Sequence, residues 1–410
     1  MTTPTHAWSP QQSQALSSVS TWYNDKSKSC PQVFRLFGFA GTGKTTLANH
    51  FAQDHRVVYG AYTGKAALQM SKSGCEGAST IHSLTYKLDP PDPKAIRELE
   101  EILFDESTPK TRLKEVEAEL RELKEPIFHL NYESPIVESD LIIIDECSMV
   151  DEEMGQDLLS FGKKILVLGD PFQLPPVQGT GYFTHHKPEA LLTEIHRQAA
   201  ENPIIAMSME IREKGILPQW RHGKARVGGP LDITNENLQK YSQILCGMNR
   251  TRFKFTDRYR RLLGYNSAYP VVGERLIALR NYRDEGIFNG LFATVEEVAP
   301  EVNSSFGLRA TLLDEQDHRH ENLQLLAPRF VEGSNPALLK RVPWQIEQGR
   351  KDFYFGHVIT THKAQGSQFD HVLVLDDNLY GWRSDMRDTR LRWLYTSVTR
   401  AIDSVTIVRV

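Results

Sequence analysis

The chain has 410 residues, in which 48 lysines and arginines oppose 52 aspartates and glutamates, so its formal charge is −4. Hydrophobic residues make up 40% and charged residues 24%, which excludes global disorder and predicts two or three folded domains. This mild acidity provides no bulk attraction for a polyanion, so any nucleic-acid site has to be local.

The spacing of the cysteines and the lack of targeting segments indicate an intracellular protein. The four cysteines lie far apart and form no CxxC pair, which favours reduced thiols over disulfides or a zinc site. The apolar runs are too short to span a bilayer, and the first residues lack a basic and an apolar signal segment. We therefore expect a cytoplasmic protein without a membrane partner.

Short, continuously apolar runs recur along the chain and predict strands buried on both faces of parallel α/β sheets. An N-terminal group occupies residues 33–37, 57–61, 141–144 and 165–168, and a C-terminal group occupies residues 244–246, 357–361, 372–375 and 405–408. This grouping predicts two α/β domains.

Two segments interrupt this pattern. Residues 94–125 carry seven basic and ten acidic groups, with apolar residues at helical spacing, which predicts amphipathic helices in a charged arm. Between residues 264 and 351, strand-like runs and a turn signal at Asn289 and Gly290 predict a small antiparallel β insert.

The strongest chemical motif is GFAGTGKT at residues 38–45, a complete GxxxxGK[ST] between an apolar run and a helix-compatible segment. Its glycines let backbone N–H groups surround phosphates at a helix N-terminus. We expect Lys44 to reach the β- and γ-phosphates of ATP and the Thr45 hydroxyl to bind Mg²⁺. The other predicted nucleotide contacts in this loop are Gly41, Thr42, Gly43 and Thr46.

Acidic and amide side chains follow two further predicted strands. Asp145 and Glu146 stand after the run LIII, where Asp145 is expected to hold Mg²⁺ and Glu146 to orient or deprotonate the attacking water. Gln173, in GDPFQLPP, is expected to hydrogen-bond both a γ-phosphate oxygen and that water. Taken alone, the latter segment is more typical of a proline-stiffened loop.

Two arginines in the C-terminal half are candidates to stabilise the transition state. Arg197 lies in TEIHRQ and Arg400 in YTSVTR, and either guanidinium could reach a γ-phosphate across a cleft. Composition alone does not separate them from ordinary ion-paired arginines.

The ordered set GFAGTGKTT, YTGKAA, STIHSL, IIIDECSMV, LGDPFQLPPV, LTEIHRQ, THKAQGSQFDHV and YTSVTRA resembles superfamily 1 DNA helicases. It is most similar to the 5′→3′ branch that includes RecD and the phage Dda helicase, and within that branch to Dda. The resemblance extends from about residue 9 to the last residue. The P-loop is shared by many enzymes, but GDPFQLPPV and THKAQGSQFD at this spacing are much more specific to the family.

The resemblance implies an α/β fold with two RecA-like P-loop NTPase domains. The first comprises residues 1–84 and 136–184 and carries an inserted helical or hairpin arm at 85–135. The second comprises residues 185–263 and 352–410 and carries a small SH3-like β domain at 264–351.

Residue roles follow from the same resemblance. Gln12 matches a glutamine that reads adenine, with Gln11 as a shifted alternative, and Gly366 lies in a motif that couples nucleotide to DNA. Arg197 and Arg400 match the family's two arginine fingers. The residues that match DNA-contacting motifs are Thr63, Lys65, His82, Thr361, His362 and Lys363.

The implied activity is an ATP- and Mg²⁺-dependent helicase that moves 5′→3′ on single-stranded DNA and unwinds duplex or forked DNA, in replication, recombination or repair. A monomer is expected, with single-stranded-DNA-binding or replication proteins as further partners, in a bacterial or infected cell. One alternative is a DNA-stimulated ATPase that remodels protein–DNA complexes without efficient unwinding. A small-molecule phosphotransferase leaves the C-terminal motifs unexplained, and a non-catalytic clamp leaves the filled catalytic positions unexplained.

Two local questions stay open in the sequence. Residues 250–261 carry six basic groups and one acidic group among aromatic residues, which fits either a DNA-binding segment or a structural helix that ends at Gly264. The arm at 85–135 is helical where the family's β-hairpin pin is expected, so residues 127–132, with Phe128 and Tyr132, are the candidate strand-separating wedge.

Overall fold

A computed structural model describes residues 8–89, 92–105, 108–124, 127–175, 181–194, 201–215, 217–282, 285–301, 306–339, 341–343, 346–347, 349–377 and 386–410. Arg197 lies outside these ranges. The strands are β1 (Val33–Gly38), β2 (Val57–Ala61), β3 (Ser79–Thr80), β4 (Tyr86–Asp89), β5 (Ile127–Leu130), β6 (Leu141–Asp145), β7 (Lys164–Gly169), β8 (Ala190–Leu192), β9 (Arg221–His222), β10 (Ala225–Val227), β11 (Gln243–Cys246), β12 (Arg275–Ala278), β13 (Phe292–Pro300), β14 (Gly307–Asp314), β15 (Arg319–Leu326), β16 (Phe353–Phe355), β17 (Val358–Thr360), β18 (Phe369–Asp376) and β19 (Ala401–Arg409).

The α-helices are α1 (Pro10–Asn24), α2 (Lys44–Ala52), α3 (Gly64–Lys72), α4 (Ile81–Thr85), α5 (Pro93–Phe104), α6 (Lys110–Lys124), α7 (Glu152–Ser160), α8 (Pro203–Lys214), α9 (Asn235–Leu238), α10 (Asn249–Leu262), α11 (Ala327–Phe330), α12 (Pro336–Leu339) and α13 (Arg387–Val398). Polar side chains cap the N-termini of several of these helices. Ser9 and Gln12 form a capping box at α1, Thr63 accepts the Ala66 N–H at α3, and Asn202 accepts the Ile204 N–H at α8.

The first sheet is parallel, with strand order β3-β2-β6-β7-β1-β8. Apolar clusters cover both of its faces, as the continuously apolar runs predict. Its register sets Ala61 beside Asp145 and Phe37 beside Gly169, so the carboxyl ends of four strands meet at one edge. The nucleotide motifs leave the sheet at this edge.

The second sheet has the order β17-β11-β18-β19-β10-β9 and is parallel except for the β9–β10 pair. Helices α8 and α13 pack on one face, and α10 packs on the other. With the first sheet, this gives the predicted α/β class with two RecA-like domains.

The predicted β insert is confirmed as an antiparallel five-stranded sheet of order β15-β14-β13-β12-β16. Its apolar residues join the core of the second parallel sheet in one continuous cluster. We call residues 264–355 the accessory domain.

The predicted charged arm is also confirmed as helical. Helices α5 and α6 pair through a small apolar core of Ile96, Val116 and Leu120. Along the chain, the two helices lie between β4 and β5, which form an antiparallel ribbon in which Leu88 pairs with Phe128. The arm therefore combines a helical pair with a two-stranded ribbon, a combination that the helical pattern did not predict.

Two predicted domain boundaries are displaced. Strand β8 pairs with β1, so the first sheet continues beyond residue 184. Strand β16 pairs with β12, so the accessory sheet continues beyond residue 351, to Phe355. Each of these strands has three residues and belongs to its sheet because it hydrogen-bonds to a strand that is distant in the chain.

Within the described ranges, helices are all too short or too polar to cross a bilayer.

Candidate active site between the two parallel sheets

The loop of residues 38–45 has the backbone of a phosphate-binding turn. Gly41 and Gly43 adopt positive φ values of 77° and 82°, which side chains disfavour, and Gly43 directly precedes α2. The Thr42 hydroxyl donates to Phe39 O at 2.9 Å, which closes the loop. The ammonium group of Lys44 donates to Gly38 O at 2.7 Å and Phe39 O at 3.1 Å, so it lies folded over the turn. Thr46 is exposed in the first turn of α2.

The Mg²⁺ ligands predicted from the sequence lie side by side. The Thr45 hydroxyl donates to a carboxylate oxygen of Asp145 at 2.8 Å. The described residues contain no cluster of three or more His, Cys, Asp or Glu side chains suited to a metal. One hydroxyl and one carboxylate fit Mg²⁺, which takes few protein ligands and fills its shell with water and phosphate oxygens.

Two further carboxyl groups line this edge of the sheet. Glu146 is in a left-handed conformation with φ of 54°, and burial raises its pKa, an effect that the nearby Arg400 opposes. Burial likewise raises the pKa of Asp170, which follows β7, while Lys44 opposes the shift. A carboxylate whose pKa is raised is a stronger base and is therefore better suited to accept a proton from water.

The C-terminal half of the chain closes the site from the opposite side. Arg400 is buried, and its guanidinium donates to Thr396 O at 3.2 Å. It lies close enough to Glu146 and Asp170 to favour their ionised forms. The structure thus places one predicted arginine finger beside the predicted catalytic carboxylate.

Tyr395 hydrogen-bonds across this cleft. Its hydroxyl donates to a carboxylate oxygen of Asp170 at 2.6 Å and accepts the Ala40 N–H at 3.3 Å. The Phe172 ring stands edge-on to the tyrosine at 5.2 Å. Neither Asp170 nor Tyr395 was among the residues predicted from the sequence, although Asp170 follows a buried strand, as Asp145 does.

Gln173 lies in the same interface. Its Oε1 atom is buried and has no hydrogen-bond partner among the residues that the structure describes. The next residue, Leu174, donates its N–H to the Thr396 hydroxyl at 3.0 Å. An open acceptor next to the catalytic edge fits the predicted contact of Gln173 with water.

The two N-terminal glutamines are engaged within the protein. Gln12 is buried and donates from Nε2 to Thr42 O at 3.0 Å, and its Oε1 accepts the Ser9 N–H. Gln11 accepts the N–H groups of Thr193 and Glu194 at 2.8 and 2.9 Å. The structure therefore brings Gln12 to the phosphate loop, where it supports a loop carbonyl.

The residues predicted to contact DNA occupy the junction of both parallel sheets and the accessory domain. Thr63 caps α3, and Gly366 packs against that cap so closely that a Cβ atom would lie 2.8 Å from Thr63 Oγ1. Lys65 pairs with Glu315 of the accessory domain at 2.9 Å, and burial lowers its pKa. These contacts join three parts of the fold.

The three predicted DNA-contacting residues after β17 differ in exposure. The side chain of Thr361, a predicted DNA contact, is fully buried, and its hydroxyl shares a 2.8 Å hydrogen bond with Ser397. His362 and Lys363 are partly exposed, and burial lowers the pKa of each, that of Lys363 to about 8. The Lys363 ammonium donates to Asn289 of the accessory domain.

His82 belongs to an aromatic cluster at the base of the arm. Its ring centroid lies 5.8 Å from that of Tyr86 and 6.5 Å from that of Phe128. Phe128 is 51% exposed and Tyr132 is 70% exposed, so the candidate wedge presents aromatic surface beside a predicted DNA contact.

The basic segment at residues 250–261 is helix α10, and several of its charges have structural roles. Arg260 is buried and pairs with Glu274 at 2.6 Å, and Arg258 donates to Ile233 O. Gly264 follows the helix with φ of 78°. The structure favours the structural interpretation over the DNA-binding one.

Comparisons with known proteins agree with this architecture. The AAA domain model matches residues 9–222, more than half of the chain, and the UvrD-like helicase C-terminal domain model matches residues 355–408. The chain belongs to the superfamily 1 helicase family.

Among curated relatives of this family member, the ATP-dependent RecD2 DNA helicase of Deinococcus radiodurans is 31% identical over 294 residues. That match covers 64% of this chain and 35% of the relative. The uncharacterized protein R530 of Acanthamoeba polyphaga mimivirus is 30% identical over 160 residues, which are 36% of this chain and 29% of that protein. The matches thus span about a third of the length of these two relatives.

Solved structures support the fold. A Pif1 helicase structure, from work on unwinding at forked double-stranded DNA by two coordinating Pif1 helicases, aligns with a TM-score of 0.55 at 16% identity, covering 98% of this chain and 92% of that chain. Bacteroides Pif1 bound to single-stranded DNA aligns with a TM-score of 0.54 at 17% identity and the same coverage. At these identities, the alignments define the fold of this family member.

Proposed function

We propose that this protein is an ATP-dependent DNA helicase that moves 5′→3′ along single-stranded DNA and unwinds duplex DNA, with a Dda-like organisation. The observation that carries the proposal is the shared catalytic cleft, in which Tyr395 and Arg400 of the second parallel-sheet domain meet Asp170 and Glu146 of the first. A cleft built from two domains opens and closes with the nucleotide, and that movement is what a motor requires.

The chain's own groups provide the hydrolytic chemistry. The loop amides at the N-terminus of α2, with Lys44, bind the phosphates of ATP, and Thr45 with Asp145 holds Mg²⁺. Bound there, Mg²⁺ would neutralise charge that develops on the phosphate oxygens. Glu146 orients and deprotonates water, while Arg400, assisted by Arg197, stabilises the transferring phosphoryl group.

DNA is expected at the junction of α3, the segment after β17 and the accessory domain. Lys65 and Lys363 already face the acceptors Glu315 and Asn289 there, and DNA phosphates would replace these acceptors. The matched RecD2 relative is named a DNA helicase, and the Bacteroides Pif1 structure holds single-stranded DNA. We propose single-stranded and forked DNA as partners of a monomer that also meets single-stranded-DNA-binding or replication proteins.

ATP turnover with and without single-stranded DNA tests this function. We expect DNA to stimulate the wild type, and Lys44→Ala and Glu146→Gln each to lower kcat by about 100-fold or more. Glu153→Gln, an exposed carboxyl group on α7, is the matched control and should retain turnover. Wild-type turnover that is indifferent to single-stranded DNA would contradict the proposal.

A second candidate is an ATPase that remodels protein–DNA complexes without efficient unwinding. The arm favours it, because α5 and α6 form a charged helical pair where a β-hairpin pin is expected. ATP-driven displacement of a DNA-bound protein, together with negligible strand separation, would favour this candidate.

A further inference from the structure

We propose that Tyr395 is a positioning residue that couples the nucleotide site to residues 361–363, the segment predicted to contact DNA. The proposal rests on the proposed function, because coupling requires that both ATP and DNA bind. Tyr395 would act through Ala40 and Asp170 on one side and through helix α13 on the other.

The tyrosine hydroxyl forms a two-sided bridge. It accepts the Ala40 N–H from the phosphate loop and donates its own proton to Asp170. The side chain is 1% exposed and its ring packs against Phe172, so the hydroxyl is held in place. A phenol has a single proton to donate, and Asp170 receives it.

The bridge is sensitive to nucleotide because Ala40 is the third residue of the phosphate loop. Charged phosphate oxygens form stronger hydrogen bonds with an N–H group than a neutral phenol oxygen does. A phosphate oxygen that takes the Ala40 N–H would leave Tyr395 bound to Asp170 alone. The position of α13 relative to the first sheet would then depend on the bound nucleotide.

Helix α13 connects Tyr395 to the segment predicted to contact DNA through Ser397, which lies two residues further along the helix. Ser397 donates its hydroxyl proton to Trp393 O at 2.7 Å, so the 2.8 Å contact between Ser397 and Thr361 uses the proton of Thr361. Both hydroxyls are fully buried. Thr361 is followed directly by His362 and Lys363.

This buried hydroxyl contact gives a structural role to Thr361, a residue that the family resemblance matched to a DNA-contacting motif. Thr361 does not reach the surface, yet it fixes the start of the partly exposed segment that follows it. A shift of α13 at Tyr395 would therefore move the backbone that carries Lys363. The two sites share one rigid helix, which is a physical route for coupling.

The test compares ATP turnover by wild type and Tyr395→Phe, without DNA and with saturating oligo(dT). Coupling free energies correspond to 5- to 150-fold effects, and we expect the ratio of stimulated to basal kcat to fall by about tenfold in Tyr395→Phe. Tyr241→Phe is the matched control. It removes the phenol of a partly buried tyrosine that hydrogen-bonds to Thr406 in the second sheet's domain, and should retain the wild-type ratio.

Two results would overturn the coupling role. One is a ratio of stimulated to basal kcat in Tyr395→Phe that equals the wild-type ratio. The other is an equal loss of this ratio in Tyr395→Phe and Tyr241→Phe that parallels a fall in their thermal unfolding midpoints. If wild-type turnover itself ignores DNA, the proposed function fails, and the coupling fails with it.

A double-mutant cycle tests the route through α13. If Tyr395 and Ser397 act on one path, the double variant Tyr395→Phe/Ser397→Ala should have a stimulation ratio close to that of the more impaired single variant. Losses that multiply would overturn this route.

Discussion

The hydroxyl of Thr45 donates a 2.8 Å hydrogen bond to Asp145, which joins the first turn of α2 to the end of β6. Asp145→Asn preserves the shape of this contact but removes the charge that a divalent cation needs. We expect ATP turnover to fall on the order of 100-fold and the Mg²⁺ concentration required for half-maximal turnover to rise. Asp140→Asn, at an exposed pair with Arg56, is the control. Unchanged Mg²⁺ dependence in Asp145→Asn would contradict this metal site.

We expect the proposed DNA contact of Lys363 to make DNA affinity dependent on pH. Burial lowers the pKa of its ammonium group to about 8, so the group is charged below that pH and becomes neutral as the pH rises through it. We expect single-stranded DNA to bind more weakly at pH 9.5 than at pH 7, with the log–log salt slope smaller by about 0.7 as one phosphate contact is lost. Fluorescence anisotropy titrations measure both quantities.

Lys363→Arg is the control for that titration, because a guanidinium stays charged over the whole pH range. Its DNA affinity should change less than that of the wild type between the two pH values. Parallel pH profiles for the two proteins would remove Lys363 from the DNA site.

Much of the architecture was predictable because its signals are local. Continuous apolar runs identify the buried strands, and a glycine-rich turn before a helix identifies the phosphate loop. Strands β8 and β16 lack such a signal. Each has three residues and is defined by a partner far away in the chain, which displaced the boundaries predicted at residues 184 and 351.

The candidate site was predictable in its residue types and less so in its orientations. A motif places Thr361 near DNA-contacting residues, but only the packing against Ser397 turns its side chain into the core. The bond between Tyr395 and Asp170 joins residues 225 positions apart, and no local pattern encodes it. The engagement of Lys65 by Glu315 depends likewise on how the accessory domain docks.

Arg260 distinguishes the structural role of α10 from a DNA-binding role. Its partner Glu274 is fully buried, and burial raises the pKa of that carboxyl group. Arg260→Ala would leave this group without its buried counter-ion, and we expect a loss of about 3–5 kcal/mol in the free energy of unfolding. Chemical denaturation measures it.

The neighbouring residue provides the control for that variant. Arg261 forms an exposed pair with Asp257, so Arg261→Ala should cost about 0.5 kcal/mol or less. Equal stability of the two variants would refute the buried-pair account.

Phe128 tests the wedge at the base of the arm. Base stacking on an aromatic side chain contributes about 1–3 kcal/mol, so Phe128→Ala should slow strand separation by about tenfold. DNA-stimulated ATP turnover should persist, because the cleft is unaffected. Leu231→Ala, another exposed apolar side chain, is the control. Normal unwinding by Phe128→Ala would exclude Phe128 as the wedge.

The polarity of unwinding tests the central claim most directly. Strand displacement is measured with ATP and Mg²⁺ on duplexes that carry either a 5′ or a 3′ single-stranded tail, with Lys44→Ala as the inactive reference. We predict that the wild type separates the 5′-tailed duplex and leaves the 3′-tailed duplex intact. Preferential separation of the 3′-tailed duplex, or no ATP-dependent separation of either, would contradict it.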